Sequence, residues 1–366
     1  MILIYLDKVT PPNFYPNKET QLNRLHFFDQ LPVRYTVTHN LDEYIASPIT
    51  KKIAVFYNRL WNGDDYFVSF TQHLDQVKQV SQCVFIVQTE LHGDRVGDFL
   101  TDNVYAVLPG FVNGVASDRI IFRGNWFEIV TNLYKELPDI LPQLDYSCSP
   151  REFYFDALLG SYKPNREFVF NAIKENNLES KIFLNYYSDQ YNIQDSFIIP
   201  DGVEFDKEQL RLGLPLRHSS KNVTYFGKQT LLSTIVPVDI YNRCAYSIVA
   251  DTYNDERQVF FTEKIAKPII AKKLFVVFSG VNYLEQLRQL GFKTFGNVVD
   301  ESYDSINDNV VRSQAAFKQV EYLCQANQTE ILEKIQPILE HNYQVLTQTD
   351  WTQTAIDKMT KLVLQN

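Results

Sequence analysis

The chain has 366 residues, of which 45% are hydrophobic and 22% are charged, a composition typical of folded globular proteins. At roughly 100–200 residues per domain, this length predicts about two domains. Thirteen glycines and fifteen prolines are too few for a fibrous or low-complexity chain, and the composition excludes disorder along the whole length. The formal net charge is −9, and both halves are acidic, which does not favour a basic nucleic-acid-binding module.

The cysteines and the first residues indicate the compartment. The cysteines lie far apart with no C-x-x-C pair, which argues against a zinc module and a disulfide framework; they are Cys83, Cys148, Cys244 and Cys324. The opening run Met1–Asp7 lacks the basic start of a signal peptide and reaches a charge at once. No window approaches the roughly 18 apolar residues of a membrane span. These features predict a reduced, cytoplasmic protein without a membrane span.

Short apolar runs alternate with helical patterns over the first 150 residues. The runs predict strands at Ile2–Leu6, Arg34–Thr38, Lys52–Tyr57, Cys83–Thr89 and Val104–Leu108. The segments between and after them predict helices at Asn17–Gln30, Leu41–Ala46, Asp65–Val80 and Trp126–Leu141. Runs rich in β-branched and aromatic residues are typical of strands that are buried on both faces. The alternation therefore predicts a mostly parallel sheet covered by helices.

The alternation restarts after a proline-punctuated stretch around residues 138–150, where we predict a domain boundary. Strands are predicted at Tyr154–Leu159, Lys181–Tyr186, Ala245–Ala250 and Leu274–Phe278. Helices are predicted at Asn165–Asn176, Thr262–Lys272 and Asn282–Gln289, over 305–346, and at Trp351–Leu364 after the N-cap Asp350. Residues 201–236 show no clear pattern.

Together these elements predict an α/β fold of two doubly wound, Rossmann-like domains that face a central cleft, with a helical C-terminal tail. The predicted domains are residues 1–148 and 149–346, and residues 347–366 form a helix that crosses back to the N-terminal domain. In open α/β sheets, ligands bind beyond the carboxyl ends of the strands. Fold alone does not define the function, which depends on individual residues.

Several common catalytic motifs are absent from the sequence. There is no G-x-G-x-x-G, no G-x-x-x-x-G-K-[ST], no G-x-S-x-G and no H-E-x-x-H. These absences argue against four enzyme classes: dinucleotide dehydrogenases, P-loop nucleotidases, serine hydrolases of the nucleophile-elbow type and zinc peptidases. The absence of D-x-D also weakens a mechanism that holds a divalent cation between neighbouring carboxylates, and no metal site is predicted.

The stretch from residue 245 to residue 268 has the clearest chemical pattern. A predicted strand ends in the polar pair Asp251 and Thr252, and after a polar loop Thr262 is placed to cap the next helix. A helix start suits a phosphate, and Lys264 adds a full charge where a lysine needs a compensating anion. Glu263 is placed to accept hydrogen bonds from ribose hydroxyls. The same residues also fit a well-capped helix start with a solvated lysine.

The order Asp251 to Lys264, followed by Lys-Pro and Phe-Val-Val-Phe-Ser-Gly, resembles the donor-binding half of two-domain glycosyltransferases of the GT-B type. In particular, its Thr-Glu-Lys is similar to the signature of the α-1,3-fucosyltransferases, and the longer run is similar to glycosyltransferase-like proteins of bacteria and tailed phages. The resemblance covers roughly 150 residues of the C-terminal half. It implies that Glu263 and Lys264 contact the ribose and the diphosphate of a nucleotide sugar. Phe260 departs from the usual tyrosine, so the hydrogen bond of that hydroxyl is lost.

A second motif, Gly160-Ser-Tyr-Lys163-Pro-Asn-Arg166, opens the C-terminal half as a strand, a glycine turn and a basic helix start. It resembles the Gly-x-x-Arg-Pro-x-Arg pattern of the same family, with Lys163 in place of the first arginine. The resemblance implies that Arg166 faces the diphosphate, where a planar guanidinium suits phosphate oxygens. A surface arginine at a helix start is the alternative.

In the N-terminal half, Glu90 and His92 follow a predicted buried strand. Glu90 is the candidate general base for an acceptor hydroxyl, and His92 is the second candidate, ahead of Asp64 and Asp65. A glutamate that only caps the next turn fits equally well.

The resemblance implies a metal-independent glycosyltransferase that uses a nucleotide-sugar donor as substrate and no cofactor. The acceptor is a saccharide hydroxyl or, as for phage enzymes, a hydroxylated DNA base, for which Lys51, Lys52, Arg59, Arg119 and Arg123 would line a groove. A non-catalytic nucleotide- or glycan-binding protein on the same scaffold and a nucleotide-sugar epimerase are the alternatives. The oligomeric state stays open.

Overall fold

The structure is a computed structural model that describes residues 1–7, 34–57, 64–88, 96–160, 162–186, 200–205, 222–252, 254 and 256–365. These residues form an α/β fold with two parallel sheets. The chain divides into two compact units, of which the first combines residues 1–125 with 350–366 and the second is residues 126–349.

The described residues form fifteen strands and ten α-helices. The strands are Ile2–Leu6 (β1), Tyr35–Thr38 (β2), Lys52–Tyr57 (β3), Cys83–Val87 (β4), Val104–Leu108 (β5), Gly110–Val112 (β6), Ile120–Phe122 (β7), Phe153–Gly160 (β8), Ile182–Tyr186 (β9), Val203–Glu204 (β10), Asn222–Tyr225 (β11), Lys228–Leu231 (β12), Cys244–Ala250 (β13), Gln258–Phe260 (β14) and Leu274–Phe278 (β15). The helices are Leu41–Ala46 (α1), Asp64–Val80 (α2), Asn125–Glu136 (α3), Pro164–Glu175 (α4), Val238–Arg243 (α5), Glu263–Ile270 (α6), Tyr283–Gln289 (α7), Asn309–Leu323 (α8), Gln328–Gln348 (α9) and Trp351–Gln365 (α10).

The first unit is built on a six-stranded sheet in the order β2-β1-β3-β4-β5-β7, and all neighbours pair in parallel. Every residue of β1, β4 and β5 is buried, as the continuous apolar runs predict for strands covered on both faces. The closing helix α10 packs on this sheet through Ala355, Ile356, Met359 and Val363. Their helical spacing gives α10 one apolar face, which completes the core of the first unit.

The second unit contains a four-stranded parallel sheet in the order β15-β13-β8-β9. The chain enters at β8, moves outward to β9, and then returns to add β13 and β15 on the other side. The strand order therefore reverses between β8 and β13. In doubly wound sheets this reversal opens a crevice at the carboxyl ends of the two strands, which is where ligands bind.

A small antiparallel sheet, β10-β11-β12, lies in the region for which the sequence shows no clear pattern. Phe226 and Gly227 form its two-residue hairpin turn, and both have positive φ, at 45° and 80°. Such turns favour Asn-Gly or Asp-Gly, so a phenylalanine in the first position hides the hairpin from sequence analysis. The Phe226 ring lies against Gly202, where an added Cβ would stand 2.3 Å from the ring.

Most predicted elements are confirmed to within a few residues. Five agree at both ends: Ile2–Leu6, Leu41–Ala46, Lys52–Tyr57, Val104–Leu108 and Leu274–Phe278. The long helical stretch divides into α8 and α9, because Asn327 accepts hydrogen bonds from the backbone N–H groups of Thr329 and Glu330 and starts a new helix. The predicted helix Asn17–Gln30 lies outside the described residues.

The division between the units falls at residues 125/126, whereas the proline-rich stretch predicts a boundary at 148/149. Residues 126–148 pack with the second unit. The Phe127 ring lies 6.0 Å from that of Phe261, and the side-chain amide of Asn242 donates to the carbonyl of Gln143 at 2.9 Å. The prolines therefore end helix α3 and shape a packed connection instead of a linker. The second division, at 349/350, likewise follows α9 and not residue 346.

We expect Met359→Ala to lower the free energy of unfolding of the first unit by about 2–5 kcal/mol, because it leaves a cavity under α10 where Met359 is 1% exposed. Leu364→Ala is the matched control, since Leu364 lies on the same helix and is 46% exposed. Urea denaturation compares the two variants with wild type. Equal midpoints for both variants would contradict the packing of α10 on the first sheet.

Candidate functional site

The candidate site lies at the carboxyl edge of the second sheet, at the reversal of strand order. Gly160 ends β8 with a φ of +63°, a conformation that side chains rarely adopt, and Asp251 directly follows β13. The structure therefore brings both predicted motifs, Gly160–Arg166 and Asp251–Lys264, to one edge of one sheet.

The first turn of α4 is fixed onto the ends of two strands. The side-chain amide of Asn165 donates to the carbonyls of Asp251 at 3.0 Å and Phe278 at 2.9 Å. Arg166 donates through Nε to the carbonyl of Ala250 at 3.3 Å. Both side chains are buried. Arg166 therefore anchors α4 to the end of β13, with Nη1 3.7 Å from where a Cβ on Gly160 would stand, and its role as a diphosphate ligand stays a prediction.

Asp251 is the buried centre of the site, with no exposed surface. Its carboxylate accepts hydrogen bonds from the backbone N–H of Thr252 at 2.6 Å, the Thr262 hydroxyl at 3.1 Å and the Tyr283 hydroxyl at 3.2 Å. Burial raises the pKa of Asp251, while the Lys264 ammonium opposes that shift. Because it is fully buried and holds three hydrogen bonds, Asp251 organises the surrounding helices and is not an accessible base.

The start of α6 carries the predicted Thr-Glu-Lys sequence. Thr262 caps the helix by accepting from the backbone N–H of Lys264 at 3.3 Å. The Lys264 ammonium donates to the Glu263 carboxylate at 2.8 Å and to the Thr252 hydroxyl at 3.4 Å. Burial raises the pKa of Glu263, but attraction to Lys264 and Lys267 outweighs it, and the pKa lies below its ordinary value.

This arrangement changes one argument of the sequence analysis. The sequence suggests that a bound anion compensates Lys264 at the start of α6, whereas in the structure the buried carboxylate of Glu263 does so. Lys264 remains the more accessible partner, since its side chain is 24% exposed against 8% for Glu263. Glu263 is thus committed to the lysine, and Lys264 is the member of the pair that a ligand can reach.

The uncapped helix start at this edge belongs to α4. Lys163 occupies its N-cap position and makes no capping hydrogen bond through its side chain, and Pro164 in the first helical position has no N–H. The helix has twelve residues, and its positive end follows the Gly160 turn. Lys163 is half-buried and extends the positive charge. The start of α4 therefore combines a positive helix end and a half-buried lysine with one acidic residue in the first turn, Glu167.

A line of alternating charges continues beneath the edge. Asp156 on β8 is buried and accepts from the Ser247 hydroxyl at 2.7 Å, and burial raises its pKa to about 6. Burial also lowers the pKa of Lys267 to about 8, against the attraction of Glu263 and Asp156. Lys273 is buried and donates to the carbonyl of Tyr241 at 2.8 Å. Each charge is thus offset by a neighbour of opposite sign.

Several residues of this network are not among those that the sequence predicts for the site: Asn165, Tyr283, Asp156 and Lys267. The spacing of Glu263 and Lys267, four residues apart on one helix, was the available signal for Lys267. Tyr283 carried no such signal, because its contact with Asp251 joins residues 32 positions apart.

The candidates of the N-terminal half are only partly described. Glu90 and His92 lie outside the described residues, and Asp64 and Asp65 open α2. The nearest described residue on the same strand is Gln88, directly after β4, which is 1% exposed and whose side-chain amide has no hydrogen-bond partner within the part of the chain that the structure describes.

The residues predicted to line a basic groove for DNA are divided between the two edges of the first sheet. Lys51 precedes β3, Lys52 begins it and Arg119 precedes β7, so these three lie at the amino edge of the parallel strands. Lys52 is buried, and its ammonium donates to the carbonyl of Ile45 at 3.0 Å. Arg123 follows the end of β7 at the carboxyl edge and is 9% exposed, and Arg59 lies outside the described residues.

Comparison with known proteins identified no matching family model, no matching curated protein and no matching solved structure. Among the described residues, no helix is both long and apolar enough to cross a membrane. The same residues include no group of three or more His, Cys, Asp or Glu side chains that could hold a metal ion. Any functional assignment therefore depends on the geometry at the edge of the second sheet.

The raised pKa of Asp156 gives a pH-dependent contribution to stability. Because the folded protein holds this proton more tightly than the unfolded chain, the contribution is complete below about pH 4 and is lost as the pH rises through 6. The shift corresponds to about 3 kcal/mol. We expect Asp156→Asn to reduce the fall in the free energy of unfolding between pH 4 and 6.5 by roughly that amount.

Urea denaturation at several pH values measures this difference, and the exposed Asp139→Asn is the control. The other buried carboxyl groups of the unit titrate in both proteins, so they cancel when wild type and variant are compared. An identical pH dependence in wild type and Asp156→Asn would show that the Asp156 carboxyl does not hold its proton in the folded state.

Proposed function

We propose that the chain is a nucleotide-sugar-dependent glycosyltransferase and that its second unit binds the diphosphate of the donor. The observation that carries this proposal is the uncapped start of α4 behind the Gly160 turn, at the reversal of strand order between β8 and β13. This helix start offers a positive dipole end to a phosphate, while Pro164 has no N–H and the N–H groups of Arg166 and Glu167 donate to the carbonyl of Lys163 at 3.0 and 2.9 Å. The family resemblance of the same two motifs points to a nucleotide sugar as the ligand.

Two lysines give the diphosphate specific partners in this proposal. Lys163 stands at the N-cap of α4, and Lys264 presents the accessible side of its ammonium at the start of α6. The two helix starts are joined through Asp251, whose carbonyl binds Asn165 of α4 and whose carboxylate binds Thr262 of α6. A diphosphate therefore has one lysine available near each helix start.

The chemistry proposed for these lysines is stabilisation of the leaving group. Transfer of the sugar leaves negative charge on the diphosphate, and preorganised cations in a partly buried site lower the energy of the transition state. In the two-domain GT-B arrangement that we propose, the first unit would bind the acceptor. A saccharide hydroxyl is the favoured acceptor class, because a net charge of −9 does not favour binding to the phosphates of DNA.

We expect Lys163→Ala and Lys264→Ala each to weaken the binding of a nucleoside diphosphate by about 10–100-fold, since each removes a charged hydrogen-bond donor. Titration calorimetry with UDP, GDP, ADP and dTDP identifies the nucleotide on wild type and then compares the variants. Lys318→Ala, which removes an exposed lysine of α8, is the control and should bind as wild type does. Unchanged affinity in both site variants would refute the lysine assignment, and no binding by wild type would refute the proposed donor site.

Catalysis is tested separately from binding. With the nucleotide sugar of the matching base and a saccharide acceptor, we expect release of the nucleoside diphosphate that depends on Lys264 and is unchanged by EDTA. Inhibition by EDTA that magnesium reverses would overturn metal-independent transfer. Donor binding without release would favour a non-catalytic binding protein, and conversion of the donor sugar without any acceptor would favour an epimerase.

A further inference from the structure

Arg312, in the first turn of α8, is 3% exposed and connects separate segments at the edge of the second sheet. Its Nε donates to the carbonyl of Ser279 at 2.9 Å, and Nη1 donates to the carbonyl of Ile306 at 2.6 Å. Its Nη2 donates to Asn254, at 3.2 Å to the side-chain oxygen and 3.4 Å to the carbonyl. The guanidinium also reaches the carbonyl of Asn307 at 3.1 Å and the side-chain oxygen of Asn309.

The partners of Arg312 belong to the connections that form the candidate site. Ser279 directly follows β15, and Asn254 lies in the connection that follows β13. Thr252, two residues before Asn254, is the residue whose hydroxyl accepts from the Lys264 ammonium. One guanidinium therefore fixes the connection that orients Lys264 relative to the end of the neighbouring strand.

The same two strand ends are held a second time from α4. Asn165 donates to the carbonyls of Asp251 and Phe278, the residues that lie at the ends of β13 and β15. Arg312 donates hydrogen bonds to Asn254 and Ser279, which follow Asp251 and Phe278 along the chain. A change at Arg312 thus affects the strand ends that position the start of α4 as well as the Thr252 partner of Lys264.

We infer that Arg312 is a positioning residue for the anion site, one that holds the connection after β13 so that Lys264 and the start of α4 face a bound diphosphate. This inference rests on the proposed function of that edge. The inference assigns to α8, which contributes no residue that would bind the anion directly, a control over anion affinity. Five donors in a rigid planar fork suit carbonyls that lie in different directions, whereas the donors of a lysine all belong to one atom.

The test uses inorganic pyrophosphate as the probe and compares Arg312→Lys and Arg312→Met with wild type by titration calorimetry, at a temperature where each variant is folded by circular dichroism. We expect the Kd for pyrophosphate to rise at least about tenfold in Arg312→Met. We expect a smaller rise in Arg312→Lys, which keeps the charge and part of the hydrogen bonding. The nucleoside of the matching base, which lacks phosphate, should bind all three proteins with similar affinity.

Lys181→Met provides the matched control. The Lys181 ammonium donates to the carbonyl of Cys324 at 2.7 Å, so it also ties α8 to the sheet, but at the amino end of β9. A purely structural role of Arg312 predicts that Lys181→Met and Arg312→Met lower stability while the folded proteins bind pyrophosphate equally well. That result, or equal losses of nucleoside and pyrophosphate affinity in Arg312→Met, would overturn the inference. Absence of pyrophosphate binding by wild type would instead refute the proposed anion site on which the inference rests.

Discussion

The second unit depends on the burial of one carboxylate, that of Asp251. A buried charge is costly unless hydrogen bonds replace its lost hydration, so its donors must be held in place. One donor is the next backbone N–H, and the others are the hydroxyls of Thr262 and Tyr283 at the starts of α6 and α7. Satisfying Asp251 therefore fixes two helices onto the end of β13, and the carbonyl of the same residue fixes α4 through Asn165.

The requirements of Asp251 decide where a ligand can bind. At the start of α6, Thr262 caps the helix and Glu263 binds the Lys264 ammonium. At the start of α7, the Asp304 carboxylate accepts from the backbone N–H groups of Leu284 and Glu285 at 2.9 Å each. The start of α4 differs, because Lys163 adds charge without capping the helix. Of the three helix starts at this edge, α4 is the one whose N-cap side chain makes no capping hydrogen bond, and Glu167 places one carboxylate in its first turn.

A feature can be predicted from the sequence when the residues that determine it lie close together along the chain. Strands such as Ile2–Leu6 and Leu274–Phe278 are apolar on both faces, and the N-cap Thr262 acts within its own helix, so the sequence predicts both. The neutralisation of Lys264 by its neighbour Glu263 depends on side-chain conformation, and Arg312 depends on the approach of segments 33 and 58 positions away. Such contacts arise from the tertiary fold and leave no local pattern. The proline-rich stretch predicts a boundary at 148/149 for the same reason, because tertiary packing, and not the prolines themselves, decides whether such a stretch is a linker.

The charges at the edge are largely balanced within the chain. Arg166, Lys264 and Lys267 attract the carboxylates of Asp251, Glu263 and Asp156, so these six charges cancel when all the groups are ionised. At the start of α4, Lys163 and Glu167 are likewise of opposite sign. The proposed preference for a diphosphate therefore rests on the family resemblance of the two motifs and on the exposure of Lys163 and Lys264, and not on an excess of positive charge.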